Sequence, residues 1–240
     1  TGDDITLEGA NTSFQVHLRV APRDFAATYN AAQIATPIAL AISGNSPVFC
    51  GHRLWEETRV ALFKQALDVR DLVEQAWRPP ARVSFGHGWV RRGAYELFAE
   101  SVAVFPPILP LVGDEDSVAI ARAGGCPRLE ELRIQQGTVW RWNRAIYDPG
   151  DGGHLRIEMR ALPAGPTPLD MAANAAFLVG LTIALRDEVE ELLPAFPFEY
   201  AEWNFYRAAQ RGLDARLLWP SAVAPSPMPV SARAMVSRFL

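Results

Sequence analysis

The feature that most constrains this chain is a pair of strand-like segments joined by a turn rich in glycine. Residues 154–160 alternate strictly between apolar and polar side chains, and residues 139–147 also predict a strand. Between them, residues 148–153 read Asp-Pro-Gly-Asp-Gly-Gly, a strong turn signal. Because a short turn joins neighbouring strands in antiparallel order, the sequence predicts an antiparallel hairpin.

A further strand is predicted near the start of the sequence. Residues 14–20 alternate apolar and polar side chains, which is the period of a half-buried strand. Gln15 and His17 fall on its polar side, as Glu158 and Arg160 do in the second strand of the hairpin. We therefore expect one polar sheet face that carries all four side chains.

Helical segments separate and follow these strands. Pro37 lies inside the first helix and is expected to kink or split it. Thr167-Pro168 is a start signal for the fifth, because threonine is a good N-cap and proline suits the first helical position. Residues 78–93 are predicted to form a long loop. The predicted helices cover residues 25–43, 54–68, 95–104, 127–135, 167–193 and 200–212.

Few strands among long helices are typical of an α+β fold. We expect an antiparallel sheet with helices packed on one face, in a unit spanning residues 1–218. An irregular tail rich in proline and serine is expected at 219–240. The longest apolar stretch, residues 172–185, is too short for a bilayer core of about 30 Å, so a buried core helix is predicted there.

The composition bears on partners and compartment. The chain has 23 Lys and Arg against 27 Asp and Glu, a formal net charge of −4. Nucleic-acid binding needs a basic surface, so a nucleic-acid partner is not expected. Two cysteines are too few for a disulfide scaffold and predict a reducing compartment. With no membrane partner predicted, the expected location is the cytoplasm.

Glu158 and Arg160 stand two residues apart on one strand and so point the same way. This pair suits a metal ligand beside a phosphate clamp, since Mg²⁺ prefers carboxylate oxygens and arginine binds phosphoryl oxygens through paired donors. Gln15 and His17 could complete the metal site. The simpler alternative is a solvated sheet face with a cross-strand ion pair, in which Glu158 would contribute little to stability.

Common nucleotide-binding and hydrolase motifs are absent from the sequence. It contains no GxxxxGK[ST] loop, no GxGxxG loop and no GxSxG elbow. P-loop binding, Rossmann dinucleotide binding and α/β-hydrolase chemistry are therefore disfavoured.

Several short motifs resemble, in order and spacing, those of glutamate–cysteine ligases, with gaps from about residue 10 to residue 190. Residues 12–18 are similar to the family's Thr-x-Gln-Val-Asn-Leu strand. The helix with Pro37 and the following residues 45–47 resemble its Leu-Phe-Ala-Asn-Ser-Pro segment. Residues 155–160, followed by Ala-Gly-Pro at 164–166, look like its Tyr-Leu-Glu-Met-Arg strand with Gly-Gly-Pro.

The resemblance implies an ATP-dependent carboxylate–amine ligase of the glutamine-synthetase-like superfamily. In such enzymes a saddle-shaped antiparallel sheet holds ATP, Mg²⁺ and glutamate. The γ-carboxylate of glutamate attacks the γ-phosphate of ATP, and the amine of cysteine then attacks the acyl phosphate. The implied roles are metal ligation by Gln15, His17 and Glu158, catalysis by Arg160, and binding of phosphate or substrate by Arg59, Arg144 and Asn45.

The sequence departs from the family's pattern in three places. Glu57-Thr58 stands where the family has a serine before Arg59, and the loop at 78–93 has no counterpart. The family's first metal-binding acids form a Glu-x-Glu strand that is not found here, so we expect the C-terminal part of a catalytic domain. Two alternatives stay open: a non-catalytic nucleotide- or amino-acid-binding module, and an α+β interaction domain without a site.

The placement of Arg144 depends on the register of the hairpin. If Ile146 pairs with Arg156, Arg144 lies opposite Glu158 and faces the site. A slip of one residue turns Arg144 toward the core, and Arg141 becomes the candidate instead. Because a buried unpaired guanidinium is costly, the first register is predicted.

Overall fold

The computed structural model describes residues 6–68, 70, 79–221, 224 and 226–240; Arg78, at the start of the predicted loop, lies outside them. Within these ranges helices surround small sheets that are antiparallel except for one parallel pair, which is the predicted α+β class. The helices are α1 (Thr6–Gly9), α2 (Phe25–Ser43), α3 (Arg59–Ala66), α4 (Ala94–Val104), α5 (Ser117–Arg122), α6 (Glu130–Gly137), α7 (Pro168–Arg186), α8 (Val189–Leu192), α9 (Phe198–Arg211) and α10 (Ala232–Phe239).

The described strands are β1 (Val16–Val20), β2 (Val48–Phe49), β3 (His52–Arg53), β4 (Val83–Ser84), β5 (Trp140–Arg141), β6 (Asn143–Asp148), β7 (His154–Met159), β8 (Arg216–Trp219) and β9 (Met228–Ser231). The central sheet is antiparallel, in the order β1–β7–β6. β6 and β7 form the predicted hairpin, and β1 pairs with the other edge of β7. This sheet positions the candidate site.

The apolar face of the central sheet belongs to the main core. Ile157 and Met159 of β7 are 0% exposed, and Tyr29 Oη of α2 donates to the carbonyl oxygen of Asn143 in β6 at 2.8 Å. Helices α7 and α9 pack against α2. The expected split at Pro37 does not occur, because burial of nearly every side chain of α2 outweighs the one hydrogen bond that proline removes.

The strand predicted over residues 139–147 is interrupted at Trp142. Its ring is 2% exposed and packs against the rings of Phe63 in α3 and Phe205 in α9. On the N-terminal side of this break, β5 pairs in parallel with β4, which lies within the segment predicted as a loop at 78–93. The backbone of Trp142 stays paired at the break, because its N donates to the carbonyl oxygen of Ser84 at 3.0 Å and its carbonyl oxygen accepts from the backbone N of Arg160 at 2.9 Å. The segment therefore changes its partner from β4 to β7 at this residue.

Helix α3 begins at Arg59, later than the predicted start at residue 54. The backbone N of Glu57 donates to the carbonyl oxygen of Ala209 at 2.8 Å, and that of Thr58 donates to Ser46 at 3.2 Å. These tertiary hydrogen bonds hold the preceding segment out of the helix. The residues just before α3 are thereby fixed to α9 and to the loop after α2.

The helix predicted over residues 167–193 ends at Arg186, and α8 follows it. Thr167 caps α7 as expected, with its Oγ1 accepting from the backbone N of Asp170 at 3.2 Å. The expectation of a buried core helix over residues 172–185 holds for one side only: Leu178, Leu181 and Leu185 are buried, whereas Ile183 on the other side is 44% exposed. Among the described residues, α7 is the one helix long and apolar enough, by length and composition, to cross a membrane.

The end of the chain is more regular than predicted. β9 pairs antiparallel with β8, and α10 follows with Ala232, Met235 and Val236 buried. The expectation of an irregular tail over 219–240 is therefore wrong for the segment from β9 onward. Pro229 is tolerated because β9 lies at the edge of a two-stranded sheet, where a missing N–H leaves no inner ladder incomplete.

Candidate functional site

One cross-strand row of the polar sheet face brings three predicted site residues together. His17 of β1 lies opposite Glu158 of β7, and Glu158 lies opposite Arg144 of β6. Ile146 pairs with Arg156, so the predicted register of the hairpin is confirmed. Directly opposed residues of antiparallel strands project to the same face. An imidazole, a carboxylate and a guanidinium therefore stand in one line.

Glu158 is the centre of this row and is almost completely buried. Its side chain is 3% exposed, and its Oε2 accepts a hydrogen bond from Nε of Arg144 at 2.6 Å. Its Oε1 lies 3.8 Å from Nε2 of His17 and 3.9 Å from Nε of Arg160. The solvated-face alternative is wrong for Glu158, although the cross-strand ion pair that it included is present. The carboxylate is an internal counterion for two arginines.

A helix also meets this polar face, which corrects the expectation of helices on one face only. Nη1 of Arg144 donates to the carbonyl oxygen of Gln136, near the C-terminal end of α6, at 3.1 Å. The last carbonyls of a helix have no partner within it and carry partial negative charge, so they accept readily from a cation. Helix α6 therefore closes the row on the β6 side.

Arg160 follows β7 and retains unused hydrogen-bonding capacity. Its Nη1 donates to the carbonyl oxygen of Arg141 at 3.1 Å, and its guanidinium lies over the ring of Phe63 at 5.5 Å. Its Nε is buried and has no hydrogen-bond partner among the described residues. Burial lowers the pKa of Arg160 to about 10, the positive charge of Arg144 adds to this decrease, and Glu158 opposes it.

Arg59 and Asn45 are both anchored by Glu57, which is 0% exposed. Oε1 of Glu57 accepts from Nε of Arg59 at 2.9 Å, and Oε2 accepts from the backbone N of Asn45 at 2.9 Å. Arg59 Nη2 also donates to the carbonyl oxygen of Ala161, and Asn45 Nδ2 donates to that of Ala164 at 3.0 Å. These two predicted binding residues therefore tie the segment after β7 to α3, through Arg59, and to the loop after α2, through Asn45.

Gln15 is the predicted site residue that stands apart from the others. It precedes β1, is exposed, and makes no hydrogen bond to another described residue. By alternation it shares the side of the strand that carries His17. The structure does not bring its amide into contact with Glu158.

The donor set around Glu158 fits an anion better than Mg²⁺. Mg²⁺ is held by several hard oxygen ligands, and the described residues contain no group of three or more His, Cys, Asp or Glu side chains placed to hold a metal. One carboxylate oxygen is already taken by Arg144, and Arg59 is close enough to Arg160 to lower its pKa. These residues alone do not form a Mg²⁺ site, whereas their guanidinium groups suit phosphate or carboxylate.

Two residues that shape the site were missed from the sequence. Glu57 stands two positions before Arg59, and an acid that close to an arginine at a helix start was the available signal. The sequence carries no signal for Gln136, because the group that accepts from Arg144 is its backbone carbonyl oxygen, which every residue has. A larger cleft of about 890 Å³, lined in part by Trp89 and Glu100, contains none of the predicted site residues.

The imidazole of His17 is expected to titrate below its ordinary pKa of 6.5. Burial lowers the pKa of His17 most, Arg156 and Arg144 lower it further, and Glu158 partly opposes them. In an NMR titration, the imidazole signal that disappears in His17→Gln should therefore have a midpoint below 6.5. The unfolded chain then binds more protons, so the wild type should lose stability as pH falls below 6.5, and His17→Gln should lose less. A midpoint at or above 6.5 would contradict the geometry of this row.

Comparisons with known proteins found no match that bears on this site. No protein-family model matches the chain, and a search of curated proteins found no significant match. Function is therefore inferred from the arrangement of Arg144, Glu158 and Arg160 and their neighbours, together with the motif resemblance.

Proposed function

We propose that this chain belongs to an ATP-dependent carboxylate–amine ligase with a glutamine-synthetase-like catalytic domain. The observation that carries the proposal is the buried row in which Glu158 holds Arg144 and approaches Arg160 on one face of an antiparallel sheet. The motif resemblance assigns phosphate and substrate contacts to these same arginines. The proposed substrates are ATP, glutamate and cysteine, and the proposed location is the cytoplasm.

The chemistry of this reaction needs fixed positive charge. In the first step a carboxylate oxygen of the acid bonds to the γ-phosphorus of ATP, and the bond to ADP breaks. In the second step the amine nitrogen bonds to the acyl carbon, phosphate leaves, and the nitrogen loses a proton. Negative charge accumulates on phosphoryl oxygens in both steps, so cations that are already held in place lower both barriers.

The side chains of the row have distinct roles in this proposal. Glu158 holds Arg144 through a 2.6 Å hydrogen bond, so that guanidinium needs little reorganisation when substrate binds. Arg160 offers the Nε that has no partner among the described residues as a donor to a phosphoryl or carboxylate oxygen. His17, 35% exposed, lies at the more open end of the row and is the residue best placed to meet solvent or substrate.

A non-catalytic anion-binding module is the second candidate. It is favoured by one observation, the scarcity of acids at the row. Among the described residues Glu158 is the single carboxylate there, and it is already paired with Arg144. Such a module would bind nucleotide or amino acid through the same arginines without turnover. An interaction domain with no site would bind neither.

The test combines ligand binding with turnover on the full chain. ATP with Mg²⁺ at about 100 times its Kd should raise the melting temperature by roughly 5–10 °C, the shift expected for a domain of this size. Added glutamate and cysteine should then release phosphate. Stabilisation without phosphate release would favour the binding module, and no stabilisation by ATP, glutamate or cysteine would reject both.

Arg160→Lys is the matched variant for this test, because it keeps the charge and loses the guanidinium fork. It should weaken ATP binding or turnover by about tenfold, the scale of one lost charge-assisted hydrogen bond. Arg122→Gln, at an exposed residue of α5, is the control and should leave both unchanged. Equal effects of the two variants would exclude Arg160 from the site.

A further inference from the structure

A second, smaller cavity lies between α6 and strands β6 and β7 of the central sheet. Its volume is about 210 Å³, and its polar lining comes from Arg133 and Gln136 of α6, Arg144 and Asp148 of β6, and Arg156 of β7. At roughly 30 Å³ per water molecule it would hold about seven waters. A phosphate group or a small amino acid fits this space, whereas a whole nucleotide does not.

The cavity carries an excess of positive charge. Three guanidinium groups and one carboxylate, that of Asp148, line it, and one of the three, Arg144, is already paired with Glu158. Asp148 is already committed, since its Oδ2 accepts from Nη2 of Arg156 at 2.9 Å and its Oδ1 accepts from the backbone N of Gly150 at 2.9 Å. The side chain of Arg133 forms no ion pair or hydrogen bond with any described residue. At least one cation therefore remains available for an anionic ligand.

Two buried donors in the cavity wall lack partners among the described residues. Nε2 of Gln136 and Nε of Arg156 are both inaccessible to solvent and form no hydrogen bond with a described residue. Gln136 as a whole is 6% exposed, so its side chain is packed within the cavity wall and is not a surface group. Buried donors without acceptors are rare in folded proteins, and a site for a ligand is one of their accepted explanations.

We propose that this cavity binds a small oxyanion, a phosphate or carboxylate group, through the guanidinium of Arg133 and through Gln136 Nε2 and Arg156 Nε, which a rotation of their side chains turns into the cavity. An oxyanion supplies the acceptors that these donors lack and neutralises the excess charge. The site is centred away from Glu158 and shares Arg144 with the row there. It does not depend on ligase activity, because any small anion of suitable size satisfies the same donors.

The experiment measures binding of inorganic phosphate and of glutamate, separately, by isothermal titration calorimetry. The variants are Gln136→Leu, which removes the amide donor at similar volume, and Arg133→Gln, which removes a guanidinium that forms no described contact. Each should weaken binding of the preferred anion by about tenfold or more, the scale of a lost charge-assisted hydrogen bond. Arg122→Gln removes an equal charge on α5 and should have no effect.

The phosphate and glutamate titrations distinguish two kinds of site. Preference for phosphate identifies a phosphoryl subsite, and preference for glutamate identifies a carboxylate subsite. Wild-type protein that binds neither anion at about 10 mM would overturn the proposal, as would unchanged binding in both variants. Melting temperatures show whether each variant folds, and Gln136→Glu, which places a negative charge in the wall, replaces Gln136→Leu if the latter unfolds. Phosphate binding with no ATP turnover would leave this site standing while rejecting the ligase.

Discussion

Replacing Glu57 with glutamine is expected to destabilise the folded protein by about 3–5 kcal/mol, the range for removing one partner of a buried ion pair. Glu57 is completely buried, and its two oxygens accept from Nε of Arg59 and the backbone N of Asn45, each at 2.9 Å. Glutamine has the same shape but no charge and only one acceptor oxygen. Arg59 would then keep a buried charge without its counterion, and one donor would lose its acceptor.

Urea denaturation of wild type and variant measures this loss. Glu56→Gln is the matched control, because Glu56 pairs with the exposed Arg53 and a surface pair contributes at most about 1 kcal/mol. Adding Arg59→Met to Glu57→Gln should recover part of the lost stability, since it removes the unpaired charge. A loss below about 1 kcal/mol in Glu57→Gln would mean that Glu57 does not hold Arg59 as described.

Glu158→Gln is expected to have the second large effect, on stability and activity together. Considered as a surface carboxylate, Glu158 would contribute little, but the structure buries it between Arg144, His17 and Arg160. We expect a loss of about 2–3 kcal/mol, less than for Glu57, because the side chains of Arg144 and His17 are 15% and 35% exposed and solvent screens them. Under the proposed function, turnover should also fall sharply, because the amide no longer holds Arg144 in position.

A double-mutant cycle with Arg144→Gln isolates this interaction. The coupling between the two residues should exceed about 1 kcal/mol, since the 2.6 Å hydrogen bond joins charged groups. Glu190→Gln, at an exposed glutamate of α8, serves as the control and should change neither stability nor turnover. If Glu158→Gln were as stable and as active as this control, the row would be neither an ion-pair network nor a site.

The sequence alone accounted for the elements with strong local signals. Strict alternation predicted β1 and β7, the Asp-Pro-Gly-Asp-Gly-Gly turn predicted the hairpin of β6 and β7, and Thr167-Pro168 predicted the start of α7. The opposition of Arg144 and Glu158 also followed, because a sheet with one buried face tolerates only one register. In each case the decisive interactions either join residues that are close in the chain or follow from the alternation of apolar and polar side chains along a strand.

Only the tertiary structure decided which charged groups meet and how deeply they are buried. The position of the break at Trp142 depends on aromatic rings from α3 and α9, against which its ring packs. Helix α10 depends on the burial of its apolar side chains. The contact of Arg59 with Ala161 spans 102 positions, and the cavity at Gln136 exists only because α6 packs beside β6. The periodicity of a segment sets which face a side chain takes, but the energy of a buried charge depends on partners that folding brings from distant parts of the chain.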